Sequence, residues 1–408
     1  MGQAPSTVVV VGAGLAAARA VETLRGDGYD GDVAVVGAEP HLPYERPPLS
    51  KDYLQGRAER SSLFVHPEQW YAEQRIDLRL ESAVTSIDPG AGIVALVDGS
   101  ALPWSALLLA TGSRPRRLGL AGEELDGVLH LRGLDDSDRL REALRQAQHL
   151  AVIGGGWIGL EVAAAARDAG VGVTVLERAD LPLGPVLGPE VASVFAELHR
   201  DHGVDLRTGV EVTGLVAEGV RVAGVELADG ARVPADVVLV AIGARPNTDL
   251  ATSAGLRVAD GIVVDAALRT SAPGVWAAGD VAEAFHPTLG AHVRVEHWDN
   301  AREQGVAAAR SILGQDVSYD RLPYFYTDQY DLGMEFTGHL GAGYDQVVLR
   351  GDVPGRQFVA LWLSRGRVVA GMGVNVWDAM DPVRDLVTSH RQVPLERLRD
   401  PDVALAEV

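Results

Sequence analysis

Short, uninterrupted apolar runs alternate along this chain with glycine clusters and with longer stretches of helical spacing. Thr7-Val-Val-Val-Val-Gly12 is apolar throughout, the pattern of a parallel strand buried on both faces. The glycine-rich turn after it predicts a helix that ends near Gly26 or Gly28, and Val33-Ala-Val-Val-Gly37 predicts the next strand. The same order returns at Leu150-Ala-Val-Ile-Gly154, with a second glycine-rich turn, an alanine-rich helix to about Gly170 and the strand Val173-Thr-Val-Leu-Glu177. One βαβ unit is therefore present twice.

Two more strands, Ala106-Leu-Leu-Leu-Ala-Thr-Gly112 and Asp236-Val-Val-Leu-Val-Ala-Ile-Gly243, each lead into a basic-proline step, Arg114-Pro115 and Arg245-Pro246. These steps mark where the chain passes between domains. Gly274-Val-Trp-Ala-Ala-Gly279-Asp280 precedes a helix expected from about Asp299 to Leu313. Beyond Pro323 the pattern changes to strands such as Gln346 to Arg350, Gln357 to Leu363 and Val368 to Gly371, with a polar tail, which predicts a small α+β domain.

Composition narrows the classes. A chain of 408 residues predicts two to four domains, and three are expected. The net charge of −20 argues against nucleic acid or an anionic membrane as partner, since both reward a positive face. No apolar stretch reaches the roughly 20 residues that span a bilayer, and the apolar N-terminus lacks a basic flank, so a cytoplasmic location is expected. The chain has no cysteine, which excludes disulfides, thiolate-ligated clusters and a redox-active dithiol. No metal ligand set is assigned.

Gly12-Ala-Gly14-Leu-Ala-Ala17 fits G-x-G-x-x-G/A, with Glu39 at the end of the following strand. Gly12 permits the tight turn, Gly14 admits a pyrophosphate to the backbone, and Ala17 lets helix and strand pack so that the helix N-terminus meets the negative charge. Glu39 would accept the adenosine ribose hydroxyls. The second copy, Gly154-Gly-Gly156-Trp-Ile-Gly159 with Glu177, is the fuller match. A carboxylate there selects NADH and repels a 2′-phosphate, whereas the adjacent Arg178 can attract that phosphate; Glu177 holds the strand-end position. Two units call for two dinucleotides: FAD, which stays bound, and NADH, which comes and goes, with hydride passing from nicotinamide C4 to flavin N5.

Gly12 to Ala17, Arg46-Pro-Pro-Leu-Ser-Lys51, Ala110-Thr-Gly112, Gly154 to Gly159 with Glu161, Ala278-Gly-Asp280, Glu296-His-Trp298 and Tyr324-Phe-Tyr-Thr-Asp-Gln-Tyr330 occur in this order. In these motifs, over essentially its whole length, the chain resembles the ferredoxin reductases of bacterial oxygenase systems. The resemblance implies an α/β fold with two Rossmann-like dinucleotide-binding domains, arranged as in glutathione reductase, plus a small C-terminal α+β domain. Residues 1–112 and 246–320 would bind FAD, 113–245 NAD, and 321–408 would cover the flavin and dock the ferredoxin. It implies an FAD- and NADH-dependent enzyme that passes electrons to a small 2Fe-2S ferredoxin, which feeds a P450 or a Rieske oxygenase.

The resemblance also assigns residues. The FAD set is Gly12, Gly14, Leu15, Ala17, Ala38, Glu39, Arg46, Lys51, Val84, Ala110, Thr111, Gly112, Arg132, Gly279, Asp280, Glu296, His297 and Trp298. The NAD set is Gly154, Gly156, Trp157, Ile158, Gly159, Glu177, Arg178, Ile242 and Gly243. Lys51 would stabilise the electron-rich reduced ring, Glu161 would orient Lys51, and Trp298 would sit beside the flavin. One departure is local: in a member of that family the ribose acid follows the strand glycine directly, whereas here that place is Ala38 and the acid is Glu39. Arg294, Arg302 and Arg310 are candidates for a basic docking patch that acts within a Debye length of about 8 Å.

Other chemistries fit less. A disulfide or peroxide reductase needs cysteine. A membrane-surface quinone reductase needs an amphipathic basic or aromatic C-terminus, and residues 381–408 carry mixed charge. A redox-sensing flavoprotein, in which NADH binding changes assembly, remains the alternative.

Overall fold

The computed structural model describes residues 5–408, which divide into two compact units. The first comprises residues 5–45, 60–114 and 245–323, and the second residues 46–59, 115–244 and 324–408. The units change at 114/115 and 244/245, at the two basic-proline steps. Residues 46–59, which the sequence reading leaves in the FAD-binding domain, cluster with the second unit. Among the described residues no helix is long and apolar enough to cross a membrane.

The first unit is built on a parallel sheet in the order Val275–Ala277, Ala106–Leu109, Thr7–Val11, Asp32–Val36 and Ile76–Arg79. Val8 pairs with both Val33 and Ala106, and the strand's β-branched side chains are buried on both faces. Its two long helices, Leu15–Gly26 and Trp298–Ile312, pack closely because Gly305 presents no side chain. A Cβ on Gly305 would lie 2.4 Å from the Ala16 carbonyl oxygen. The second helix starts one residue earlier than the sequence predicts.

In the second unit a parallel sheet runs in the order Asp205–Arg207, Gly172–Leu176, His149–Ile153, Val237–Val240 and Val128–Leu129. The helix Trp157–Asp168 follows its glycine-rich turn, and Pro189–Asp201 lies farther along the chain. The C-terminal part is an antiparallel sheet in the order Tyr324–Gln329, Leu332–Gly338, Arg367–Val374, Gln357–Ser364 and Gln346–Asp352. Helices Met380–Ser389 and Leu395–Arg399 complete an α+β arrangement. The last three strands are longer than their predicted runs, and Arg367–Val374 gains Met372 and Val374, both fully buried.

Candidate functional site

The two glycines of the first turn differ physically. Gly12 lies at φ +111°, where L side chains are strained, and a Cβ there would sit 2.1 Å from the Ala110 carbonyl oxygen. At Gly14 a Cβ would meet nothing within 4 Å. Packing therefore demands glycine at position 12 but not at 14, where the vacant space is the approach a phosphate needs. Ala17 is fully buried and Leu15 nearly so. The helix opens with no side-chain cap and no acid in its first turn, which leaves amide donors and the positive dipole end for an anion. Strand end and turn touch, because a Cβ on Gly37 would come within 2.5 Å of Ala13 Cβ. Glu39 accepts a hydrogen bond from the Tyr44 hydroxyl at 2.6 Å, while Ala38 is exposed.

Other residues of the FAD set cluster in the same unit. Thr111 donates its hydroxyl to the Asn247 carbonyl at 2.9 Å, and the Asn247 amide returns a bond to the Thr111 carbonyl at 2.8 Å, next to Ala110 and Gly112. Asp280 is buried and accepts from Ser113 at 3.1 Å, while the Gly279 amide donates to Gln304 at 2.9 Å. His297 occupies the N-cap of the helix that Trp298 opens. The Trp298 indole N–H donates to Glu45, and the Arg302 guanidinium stands 4.7 Å from the ring centroid. Burial pushes the Glu45 carboxyl up, against the indole bond and the charges of Arg19 and Arg302. Glu296 is exposed and paired with Arg294, and Val84 begins a hairpin strand that pairs with Leu96.

The second unit repeats the turn. Gly154 lies at φ +107° with the Ala241 carbonyl oxygen 2.5 Å from a Cβ position, and Gly156 again faces open space. A Cβ on Gly159 would lie 2.3 Å from the Gly154 carbonyl oxygen, which excludes a side chain there. Its helix likewise lacks a side-chain cap and a first-turn acid. Glu177 is gripped by backbone, accepting from the Gly155 amide at 2.6 Å and the Ala179 amide at 2.7 Å. Arg178 and Ile158 are exposed, as is Gly243 at φ +97°, with Ile242 half-buried before it. The Trp157 ring stacks edge-on against Phe195 and Phe325, so its side chain serves an aromatic cluster.

The remaining FAD residues, Arg46, Lys51 and Arg132, belong to this unit. Arg46 donates to the Arg132 carbonyl at 2.5 Å, and Arg132 donates its own amide to Asp136 at 3.0 Å. The 3₁₀ turn Pro47–Ser50 delivers Lys51, whose Nζ lies 2.7 Å from Glu161 Oε1. Both side chains are largely buried, and the lysine also stands 5.8 Å from the Tyr326 ring centroid. Thr327 donates to Glu161 Oε1 at 2.5 Å and Ser50 donates to Oε2. Loss of hydration pushes the Asp328 carboxyl up, Lys51 opposes that shift, and Glu161 and Asp52 reinforce it.

The candidate docking arginines each have acidic neighbours. Arg294 pairs with Asp260 and Glu296, Arg302 with Asp299 and Glu303, and Arg310 with Asp27. Sequence reasoning missed Tyr44, Glu45, Gln304 and Thr327, which hold the candidate residues from other elements. Only Thr327 stood inside a quoted motif.

Residues 6–305 match the pyridine nucleotide-disulphide oxidoreductase family and residues 324–408 the reductase C-terminal family. The chain is 42% identical over 401 residues to the anthranilate 1,2-dioxygenase system ferredoxin–NAD(+) reductase component of Burkholderia cepacia, covering 97% of this chain and 98% of that one. It is 38% identical to the putidaredoxin reductase of Pseudomonas putida, over 99% of this chain and 97% of the other. Among solved structures, the covalent putidaredoxin reductase–putidaredoxin complex superposes with a TM-score of 0.96 at 38% identity, covering 99% of this chain and 98% of that chain.

Proposed function

We infer the activity from one premise: the chain belongs to the ferredoxin reductases of bacterial oxygenase systems, within the pyridine nucleotide-disulphide oxidoreductase family. It is an FAD-dependent NADH:ferredoxin oxidoreductase that serves a small 2Fe-2S ferredoxin and, through it, a P450 or Rieske oxygenase. The observation that carries this reading is the pair of glycine turns with open space at Gly14 and Gly156, in a chain without cysteine. Two dinucleotides are accommodated and no protein sulfur receives the electrons, so the acceptor is external.

The residues fit the groups. FAD is assigned to residues 1–112 and 246–320, through the amides after Gly12, with Glu39 for its ribose and Asp280 for its hydroxyls. NADH is assigned to 113–245, where Gly154 to Gly159 take the pyrophosphate and Glu177 the ribose. Residues 321–408 are assigned to the ferredoxin. Bound flavin supplies the exchange between a two-electron donor and a one-electron acceptor. Lys51 would supply a cation that favours an electron-rich flavin, Glu161 would hold Lys51, and Trp298, fixed by Glu45 and Arg302, is assigned to the FAD set. We place the protein in the cytoplasm, where NADH and ferredoxins are available.

The test is cytochrome c reduction by NADH with and without a panel of 2Fe-2S ferredoxins. Reduction that depends on a ferredoxin is expected. Rapid flavin bleaching by NADH that no ferredoxin reverses would refute the assignment and favour a sensor.

A further inference from the structure

Behind the Lys51–Glu161 pair lies a line of buried polar side chains that the assignment above does not use. Thr327, Gln329 and His199 are each within 1% of full burial, on the strand Tyr324–Gln329 and the helix Pro189–Asp201. Burying such groups is unfavourable unless they are bonded, and apolar residues of the same size would often be as stable or more so. Their bonds form a continuous line. The Gln329 amide donates to Thr327 Oγ1 at 3.4 Å, His199 Nε2 meets Gln329 Oε1 at 2.9 Å, and the Tyr330 hydroxyl lies 3.5 Å from His199 Nδ1.

The direction of every proton in this line follows from its end. Glu161 Oε1 receives Lys51 and the Thr327 hydroxyl, so the Thr327 oxygen is free to accept and the Gln329 amide faces it. The Gln329 carbonyl then faces His199, which must carry its proton on Nε2 and accept from Tyr330 on Nδ1. Burial lowers the His199 pKa to about 4 against the help of Gln329, which keeps the ring neutral and the order intact near neutral pH.

We propose that Thr327, Gln329 and His199 are positioning residues, a one-way hydrogen-bond line that aims the Glu161 carboxylate at Lys51 during reduction by NADH. This deepens the reductase reading and rests on it. Lys51 pairs with Glu161, Asp328 lies within electrostatic reach of Glu161, Lys51 and Asp52, and His202 faces His199. Lys51 is paired with the Glu161 carboxylate, so a tilt of Glu161 moves the lysine.

The experiment uses FAD-loaded protein and stopped-flow reduction by NADH. Thr327→Val keeps shape and removes the donor; its limiting flavin reduction rate should fall about tenfold, the cost of one bond to a charged group. Its Kd for NADH should stay within about twofold of wild type, and Thr327→Ser should restore the rate. Gln329→Met, one bond farther, should act in the same direction. A readout apart from turnover is ¹⁵N NMR of His199 without NADH, where an Nε2–H ring should shift in Thr327→Val. Wild-type rates in both Thr327→Val and Gln329→Met, Thr327→Ser as slow as Thr327→Val, or an Nδ1–H ring would overturn the proposal. Failure of NADH to reduce the wild-type flavin would instead refute the functional reading, and this inference with it.

Discussion

Gly12 and Gly14 separate folding from cofactor binding within three residues. Replacing Gly14 by Val adds a side chain whose Cβ touches no protein atom within 4 Å, on extended backbone at φ −94°. The free protein should lose only the difference between glycine and a poor N-cap residue, about 1 kcal/mol. A pyrophosphate approaching that backbone loses its amide contacts. Two hydrogen bonds to a charged group, at about 1.5 to 3 kcal/mol each, correspond to roughly a hundred- to ten-thousandfold weaker FAD binding. Gly12→Ala inverts the pattern, since φ +111° and a carbonyl oxygen at 2.1 Å strain the sheet itself. Melting of the apoproteins and titration of FAD fluorescence measure both quantities. A Gly14→Val protein that purifies yellow at full occupancy, or a Gly12→Ala apoprotein as stable as wild type, would refute the reasoning.

Lys51→Ala leaves Glu161 buried without its cation, so stability should fall on the order of 3 kcal/mol, while FAD remains bound and its reduction slows; adding Glu161→Gln should recover stability in urea melts but not the rate. Glu177→Ala should narrow the kcat/KM preference for NADH over NADPH, and an unchanged ratio would show that Glu177 is not the ribose ligand. His199 gives a pH test. Its folded pKa of about 4 lies below the ordinary value, so the unfolded chain binds the extra proton between those two values. The stabilisation is complete above about pH 6.5 and is lost as pH falls toward 4, on the order of 3 kcal/mol in all. Urea unfolding at pH 5 and 7.5 should show about 2 kcal/mol of it in wild type and lose most of that in His199→Asn.

Local pattern made the parallel sheets legible, because a strand buried on both faces is apolar at every residue, as in Thr7–Val11 and Val237–Val240. The glycine turns were legible because backbone geometry and ligand approach both restrict residue type. Residues that work across elements were not. Tyr44 reaches Glu39 from five positions away and Gln304 reaches Gly279 from twenty-five, and neither has a periodic signature. The candidate docking arginines show the converse, since three of their carboxylate partners, Glu296, Asp299 and Glu303, lie within three positions of them in the sequence.

The acidic residues after the second strands of the two βαβ units differ in place, for Glu177 follows its strand directly whereas Glu39 lies three residues beyond Val36. Both oxygens of Glu177 accept from backbone amides, those of Gly155 and Ala179, and Glu39 accepts from the Tyr44 hydroxyl. Backbone amides of a turn and a strand end are already ordered, so Glu177 is in place before any ligand arrives. A nucleotide that binds and leaves in every turnover meets its ordering cost each time, and a preformed carboxylate keeps that cost small. A resident cofactor meets it once. In the proposed reductase, the preformed Glu177 carboxylate would suit the exchanging NADH.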